Sequence, residues 1–164
     1  MALTAYAAAW FLPFVVPLCL YVMYTDISRM KITNTTNLAL AGVFVVIGLI
    51  ALPFDAYLWR LLGLVIVLLV GIVLNAAGVM GAGDSKFLAA AAPYVALGDL
   101  RLMMVLFTAV LLAAFVTHRI ARHTPLRRLA PHWTSWEQGK KFPMGLALGP
   151  TLILYLALGL LYGA

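Results

Sequence analysis

The sequence predicts an all-α membrane protein with six transmembrane helices, and three observations favour that fold. Apolar residues make up 65% of the 164 residues and charged residues only 10%, whereas a soluble domain carries about 25% charged residues. Long apolar stretches recur and are separated by short polar loops. The basic residues are concentrated in alternate loops. We therefore expect one integral-membrane domain over residues 1–164.

Five of the six apolar stretches are long enough to cross a bilayer, which takes about 20 helical residues. No Lys or Arg precedes Arg29, so the first stretch predicts a retained span rather than a cleavable signal peptide. Pro13 and Pro17 predict kinks within it, which a membrane bundle tolerates. The predicted spans are residues 5–24, 37–54, 60–79, 85–98, 101–118 and 143–162.

The fourth span is unusually short and follows a glycine-rich stretch, GVMGAGDSKF at residues 78–87. A helix of about 11–14 residues covers only about 16–21 Å. Gly78, Gly81 and Gly83 lower helix stability and permit positive φ. Irregular backbone at membrane depth must be buried in protein or line a wet cavity. The stretch therefore predicts an irregular segment that leads into a short helix beside a hydrated pocket.

The charge distribution predicts how the chain is oriented in the membrane. Nine of the eleven Lys and Arg residues lie in or beside the loops 25–36, 78–86 and 118–142. They are Arg29, Lys31, Lys86, Arg119, Arg122, Arg127, Arg128, Lys140 and Lys141. With six spans these three loops share one side, which the positive-inside rule makes cytoplasmic. Both termini are then expected outside. Without the short fourth span, two of the basic loops would face opposite sides.

Composition also excludes several classes of site. Nucleic-acid binding needs a basic face with aromatic platforms on a soluble fold, and the sequence indicates no such fold. The single cysteine, Cys19, can form no internal disulfide and is expected to be buried as a small apolar residue. His118, His123 and His132 lie in or beside one basic loop, far in sequence from Asp26 and Asp84. We expect neither a metal nor a cofactor.

The five acidic residues divide into two groups by position. They are Asp26, Asp55, Asp84, Asp99 and Glu137. Asp55 and Asp99 fall in short outer loops and are expected to be solvated turn residues, and Glu137 a surface counter-charge. Asp26 and Asp84 lie at the cytoplasmic ends of the first and fourth spans. The topology therefore places both at similar depth on one side.

Two interpretations of these aspartates remain open from the residues alone. Each could be an interfacial residue paired with a nearby base: Asp26 with Arg29 or Lys31, and Asp84 with Lys86. Alternatively, the two carboxylates share a site, where one keeps a proton and the other stays charged. The charged group can then activate water, while the protonated group polarises a peptide carbonyl and protonates the leaving amine. That pattern is typical of an aspartic protease.

The glycine-rich stretch resembles a known family motif. GAGDSK, Gly81 to Lys86, resembles the GxGDxK motif of the type IV prepilin peptidases, which are GxGD-type intramembrane aspartic proteases. The segment from Asp26 to Leu40 is similar to the family's first-aspartate motif, roughly D-x-x-x-R-x-I-P-N. Asn34 matches that motif, and Thr33 stands where proline is usual.

A third segment, KKFPMGLALGPTL, resembles the family's closing P-x-G-x-A-L-x-x-G pattern through Pro143 and Gly145. The resemblance implies that Asp26 and Asp84 are the catalytic pair. The other motif positions would shape the site, and they are Gly81, Gly83, Lys86, Asn34, Pro143 and Gly145.

The resemblance also implies a substrate and a location. The substrate would be a prepilin or pseudopilin precursor, whose short basic leader is cut at the cytoplasmic face of the bacterial inner membrane, just before its hydrophobic helix. The chain looks like the short, peptidase-only form of tight-adherence (Flp-type) pilus systems. No methyltransferase activity is therefore expected. The oligomeric state is not predicted.

Some roles stay open at this point. Lys86 could bias Asp84 toward its ionised form, or anchor the short helix at the lipid headgroups. Asn34 and Asn37 could bind substrate backbone, although a cap of the second span is expected for at least one of them. The basic loop 118–142 could contact anionic lipid or only fix topology. A small transporter or proton-coupled channel, or a non-catalytic pilus assembly scaffold, remain alternative functions.

Overall fold

The computed structural model describes residues 1–139 and 141–163, and these residues form helices without any strand. The helices are α1 (Ala5–Arg29), α2 (Asn34–Ala51), α3 (Phe54–Ala76), α4 (Ala82–Ala91), α5 (Leu100–His123) and α6 (Gly145–Tyr162). All of them except α4 are long and apolar enough to cross a membrane. The predicted all-α, multi-pass membrane fold is confirmed.

The fourth segment crosses the bundle although α4 has only ten residues, or about 15 Å of helix. Its first turn lies against the connection between α1 and α2, where Gly83 packs close to Ile32. Two 3₁₀ turns, Ala92–Tyr94 and Leu97–Asp99, then continue the segment. At its far end, Asp99 accepts hydrogen bonds from the backbone at the N-terminal end of α1. The three basic loops therefore share one end of the bundle, as the charge pattern predicts.

Helix α1 lies at the centre of the molecule and packs chiefly against α6 and α2. Phe11 of α1 stacks on Phe44 of α2 and meets Tyr94 edge-on, with ring centroids 5.6 and 4.9 Å apart. The Tyr94 hydroxyl donates to the Leu40 carbonyl at 2.7 Å, so this buried polar group is satisfied. Cys19 is buried in the same core, as predicted.

Helices α3 and α5 lie at the periphery. Among the 24 residues of α5, His118 alone is buried. Its ring stacks on Trp136 of the basic loop, with ring centroids 5.1 Å apart. The outward faces of these two helices are apolar and face the surrounding lipid, since a membrane protein needs no polar exterior at this depth.

The prediction for Asp99 is wrong. This residue is only 6% exposed, rather than a solvated turn residue. Its carboxylate accepts from the backbone N–H groups of Ala2 at 2.8 Å and Leu3 at 3.0 Å, and from the Tyr155 hydroxyl at 2.9 Å. The 3₁₀ turn folds beneath the start of α1, a tertiary contact that the local sequence does not reveal. Asp55, by contrast, is exposed as predicted.

Candidate functional site

Asp26 lies in the last turn of α1, which continues five residues past the predicted span. Its side chain is only 6% exposed. One carboxylate oxygen, Oδ2, accepts a hydrogen bond from the backbone N–H of Gly145 at 2.6 Å. Gly145 begins α6, and the first N–H groups of a helix have no partner within the helix. The start of α6 therefore supplies both a donor and the positive end of a helix dipole to Asp26.

Gly145 is required here by space. A Cβ atom at this position would lie 2.9 Å from the Asp26 Cβ and 3.1 Å from Cγ1 of Val22. Real Cβ contacts are longer, so any side chain would push α6 away from α1. Pro143 is buried just before it, and its carbonyl accepts from the Leu146 N–H in the turn that starts α6. The third predicted motif thus fits the close approach of α6 to Asp26.

Asp84 lies in the first turn of α4 and is half-buried. Its carboxylate sits beside Gly81, where an added Cβ would lie 2.7 Å from Oδ2 of Asp84. A Cβ at Gly83 would lie 3.3 Å from the Ile32 Cβ. Of the three glycines expected to permit positive φ, only Gly78 has it, at +73°. Gly81 and Gly83 do not use that freedom: a side chain at Gly83 would press on Ile32, and one at Gly81 would press on the Asp84 carboxylate.

The structure brings the two aspartates together. Asp26 and Asp84 both line one polar cavity of about 400 Å³, together with Asn34, Gly81 and Lys86 among others. Burial raises the pKa of Asp84 to about 6, and the nearby Asp26 carboxylate raises it in the same direction. This is the electrostatic behaviour expected of two carboxylates that share a site.

Helix α2 holds the first turn of α4 through two asparagines. The Lys86 ammonium donates to the Asn34 side-chain oxygen at 2.9 Å. The Asn37 amide donates to the Gly83 carbonyl at 3.4 Å. The N-cap of α2 is instead Thr33, whose hydroxyl accepts from the Thr36 N–H at 3.2 Å. The expected capping role for Asn34 or Asn37 is therefore wrong.

These contacts also bear on Lys86. Its ammonium is engaged by Asn34, so Asp84 is not the partner that the interfacial-pair interpretation requires. Sequence reasoning named Asn37 with Asn34 as a residue that could bind substrate backbone, and in the structure its amide donates to the Gly83 carbonyl. The signal for Asn37 was its spacing from Asn34, because residues three apart lie on the same face of a helix.

Sequence reasoning also missed Met30, which closes α1 in a left-handed conformation with φ +52°. Its N–H donates to the Asp26 carbonyl at 2.8 Å, and its side chain lines the polar cavity. A non-glycine residue at positive φ is uncommon, and such strain clusters at functional sites. No sequence pattern marks this position. Among residues 1–139 and 141–163, no group of three His, Cys, Asp or Glu residues could hold a metal ion.

The fold and the site together define a multi-pass membrane protein with two aspartates at one polar cavity near an end of the bundle. Residues 13–118 match the type IV leader peptidase family, and the chain belongs to that family. It is therefore a peptidase of the prepilin peptidase kind, as the sequence motifs predicted. The matched residues include Asp26 and Asp84 but not α6. No curated protein and no solved structure matches the chain.

Proposed function

We propose that this protein is an aspartic endopeptidase that uses Asp26 and Asp84 to remove the leader of prepilin or pseudopilin precursors. The observation that carries the proposal is the shared cavity, in which α1 and α4 present one carboxylate each. Membership of the leader peptidase family supports the same chemistry. Neither residue needs a covalent intermediate, because a pair of carboxylates can move both protons that peptide hydrolysis requires.

The surroundings of the two groups suggest their roles. Asp26 accepts a hydrogen bond from the Gly145 N–H, whereas Asp84 accepts none within the described residues, so in this proposal Asp26 acts as the general base. Asp84 has the raised pKa and holds the proton. Asp26 takes a proton from water as the water oxygen attacks the scissile carbonyl, whose oxygen Asp84 polarises. Asp84 then protonates the leaving amine as the C–N bond breaks, and the proton on Asp26 returns to Asp84.

The position of the site fits a leader that is cut at the membrane surface. The cavity lies at the end of the bundle that carries the three basic loops, which the positive-inside rule assigns to the cytoplasm. In this proposal the enzyme lies in the bacterial inner membrane with both termini outside. It acts as a peptidase without methyltransferase activity, as in the short form of tight-adherence pilus systems.

Asparagine substitutions at the two carboxylates test this proposal. Asp26→Asn and Asp84→Asn should each lower cleavage of a purified precursor in liposomes by at least about 10³-fold, since each removes one proton-transfer group. Asp55→Asn is the matched control, because Asp55 is exposed and does not line the cavity. Near-normal cleavage by either site variant would falsify the pair assignment.

The same experiment separates the alternatives. A non-catalytic pilus assembly scaffold would leave the precursor uncut in liposomes with or without either asparagine. A proton-coupled transporter usually carries its functional carboxylates near the bilayer midplane. Here they lie at one end of the bundle, which favours the peptidase.

A further inference from the structure

The loop between α5 and α6 contains a short 3₁₀ helix, Pro125–Leu129, that exposes two leucines. None of its five residues is buried. Leu126 is 55% exposed and Leu129 is 83% exposed, although the loop lies outside the apolar helices. A 3₁₀ helix has three residues per turn, so side chains at positions i and i+3 lie one above the other. The two leucines therefore form one apolar face on a polar loop.

Basic residues occupy the positions between these two leucines. Arg127 and Arg128 are both exposed. They belong to the basic loop 118–142, which carries six Lys and Arg residues and one acidic residue, Glu137. The surface that displays the apolar face is therefore positively charged. A partner that fits it must offer both an apolar layer and negative charge, and a membrane leaflet with anionic lipids offers both.

The 3₁₀ helix begins where the chain leaves the membrane. Helix α5 has 24 residues, or about 36 Å of helix, whereas a bilayer core is about 30 Å thick. The last turn of α5 therefore reaches the lipid headgroups. Because α5 lies at the periphery and buries only His118, the chain emerges at the lipid-facing rim of the bundle. Thr124 ends α5 there, so Leu126 and Leu129 start at headgroup depth.

The rest of the loop holds this 3₁₀ helix in place. The Trp136 indole N–H donates to the carbonyl of Ala130, directly after the 3₁₀ helix, at 2.8 Å. Trp136 stacks in turn on His118 of α5 and on Trp133, with ring centroids 5.1 and 5.6 Å apart. The turn Thr134–Trp136 packs against α1. A segment that is fixed in this way loses little conformational freedom when it meets a surface.

We infer that Pro125–Leu129 is an interfacial anchor, which binds the anionic leaflet on the side of the three basic loops. Leu126 and Leu129 enter the boundary between headgroups and acyl chains, and Arg127 and Arg128 bind lipid phosphates. Burial of the apolar face removes leucine surface from water, while a guanidinium matches the geometry of a phosphate group. The basic loop thus does more than fix topology, because a topological signal requires charge alone and does not account for two exposed leucines on one face.

Depth measurements on the full chain in lipid vesicles test the anchor. A nitroxide is attached at Leu129→Cys or, as the matched control in the same loop, at Glu137→Cys, and both positions are exposed, so the label does not disturb packing. Cys19 is buried in the core, and labelling of the unsubstituted chain checks that it does not react. In vesicles with about one-third phosphatidylglycerol, the ratio of collisions with oxygen to collisions with a neutral nickel chelate should be at least about fivefold higher at position 129 than at position 137.

Two results of this measurement would overturn the anchor. Equal ratios at positions 129 and 137 would mean that water, rather than lipid, covers the leucines. Protection of position 129 from both oxygen and the nickel chelate would mean that protein covers them, in the form of a second copy of this chain. A high ratio that is confined to position 129 would support the anchor.

Removal of charge tests the two arginines. When pure phosphatidylcholine vesicles are replaced by those with phosphatidylglycerol, access of the nickel chelate to the nitroxide at position 129 should fall by about threefold or more. Arg127→Gln combined with Arg128→Gln should remove most of this difference, whereas Arg101→Gln, at an exposed arginine on the opposite end of the bundle, should keep it. Equal access in the two lipids, or a difference that survives the loss of both arginines, would contradict the binding of anionic lipid. None of these measurements depends on cleavage, so the anchor and the proposed function fail separately.

Discussion

At the end of the bundle that holds Ala2 and Leu3, the Asp99 carboxylate accepts three hydrogen bonds. Asp99 does not line the polar cavity. At the opposite end, the Asp26 carboxylate accepts one bond, from the Gly145 N–H. Asp84 beside it owes its raised pKa to burial and to the charge of Asp26, and no hydrogen bond from residues 1–139 or 141–163 compensates. One end satisfies its carboxylate fully, and the other leaves two of them partly unsatisfied beside a cavity.

This contrast separates structural from chemical use of the same side chain. A buried carboxylate that receives several N–H and O–H donors is stabilised as an anion and ties segments of the chain together. A pair with few donors holds a proton more readily and can exchange it with water. Burial alone does not distinguish the two uses, since Asp26 and Asp99 are both 6% exposed.

The sharpest test of the contrast is Asp84→Asn. Activity should fall by at least about 10³-fold, while the thermal unfolding temperature in detergent should stay equal or rise, because an amide carries no charge to desolvate. Differential scanning fluorimetry and the precursor assay give both numbers. A large fall in unfolding temperature would mean that Asp84 is structural, like Asp99.

Asp99→Ala should show the reverse pattern. It leaves the N–H groups of Ala2 and Leu3 and the Tyr155 hydroxyl without their acceptor, which should lower the free energy of unfolding by about 3 kcal/mol. The fraction that stays folded should cleave normally. Asp55→Ala is the control, because Asp55 is exposed and should change stability little. Lost activity in well-folded Asp99→Ala protein would contradict the division of roles.

Gly145→Ala should damage the catalytic end through geometry. The added methyl group would lie 2.9 Å from the Asp26 Cβ, so the carboxylate must move. A displacement of about 1 Å can cost about 10²-fold in rate, and we expect a loss of that size in kcat. Gly42→Ala is the matched control, since nothing lies within 4 Å of an added Cβ there. Equal activity of the two variants would remove Gly145 from the site.

The pH dependence should report the shared proton. In the proposed mechanism the active form keeps a proton on Asp84, whose pKa burial raises to about 6. Therefore kcat/KM should fall as pH rises through about 6, where that proton is lost from the free enzyme. Bound substrate displaces water from the cavity and disfavours the second charge further, so the fall in kcat should lie at higher pH. Profiles of kcat and kcat/KM that fall at the same pH, or do not fall, would argue against this assignment.

Lys86→Met should have the smallest effect. Lys86 is exposed and donates to Asn34 rather than to Asp84, and an exposed contact of this kind contributes about 1 kcal/mol or less. Cleavage should change by about fivefold or less, and the pH of the fall in kcat/KM should not move. If the ammonium stabilised ionised Asp84, its removal would raise the pKa and move that fall to higher pH.

Much of the architecture could be predicted from sequence, for physical reasons. Hydrophobic length fixes five helices, and the distribution of Lys and Arg requires a further crossing even though α4 has only ten residues. The motif residues around Asp26 and Asp84 indicated the pair, and the structure places both at one cavity. The charge of each loop and the length of each apolar stretch are local properties that can be counted directly along the sequence.

The contacts between distant segments could not be predicted. No residue near Asp99 in the sequence indicates that its carboxylate accepts hydrogen bonds from the backbone of Ala2 and Leu3, about 97 residues earlier. The need for glycine at Gly81 and Gly83 comes from neighbouring atoms rather than from φ, and a glycine pattern cannot tell these reasons apart. Such information lies in packing, which only the folded chain contains.

The hydrogen bond from Gly145 to Asp26 has a consequence for biosynthesis. The two residues are 119 positions apart, so during translation Asp26 and Asp84 enter the membrane before Gly145, the donor to Asp26, has been synthesised. A nascent chain that has inserted only as far as α5 holds both aspartates but lacks the donor that orients Asp26. In the proposed mechanism, peptidase activity should therefore begin only when the last helix has docked.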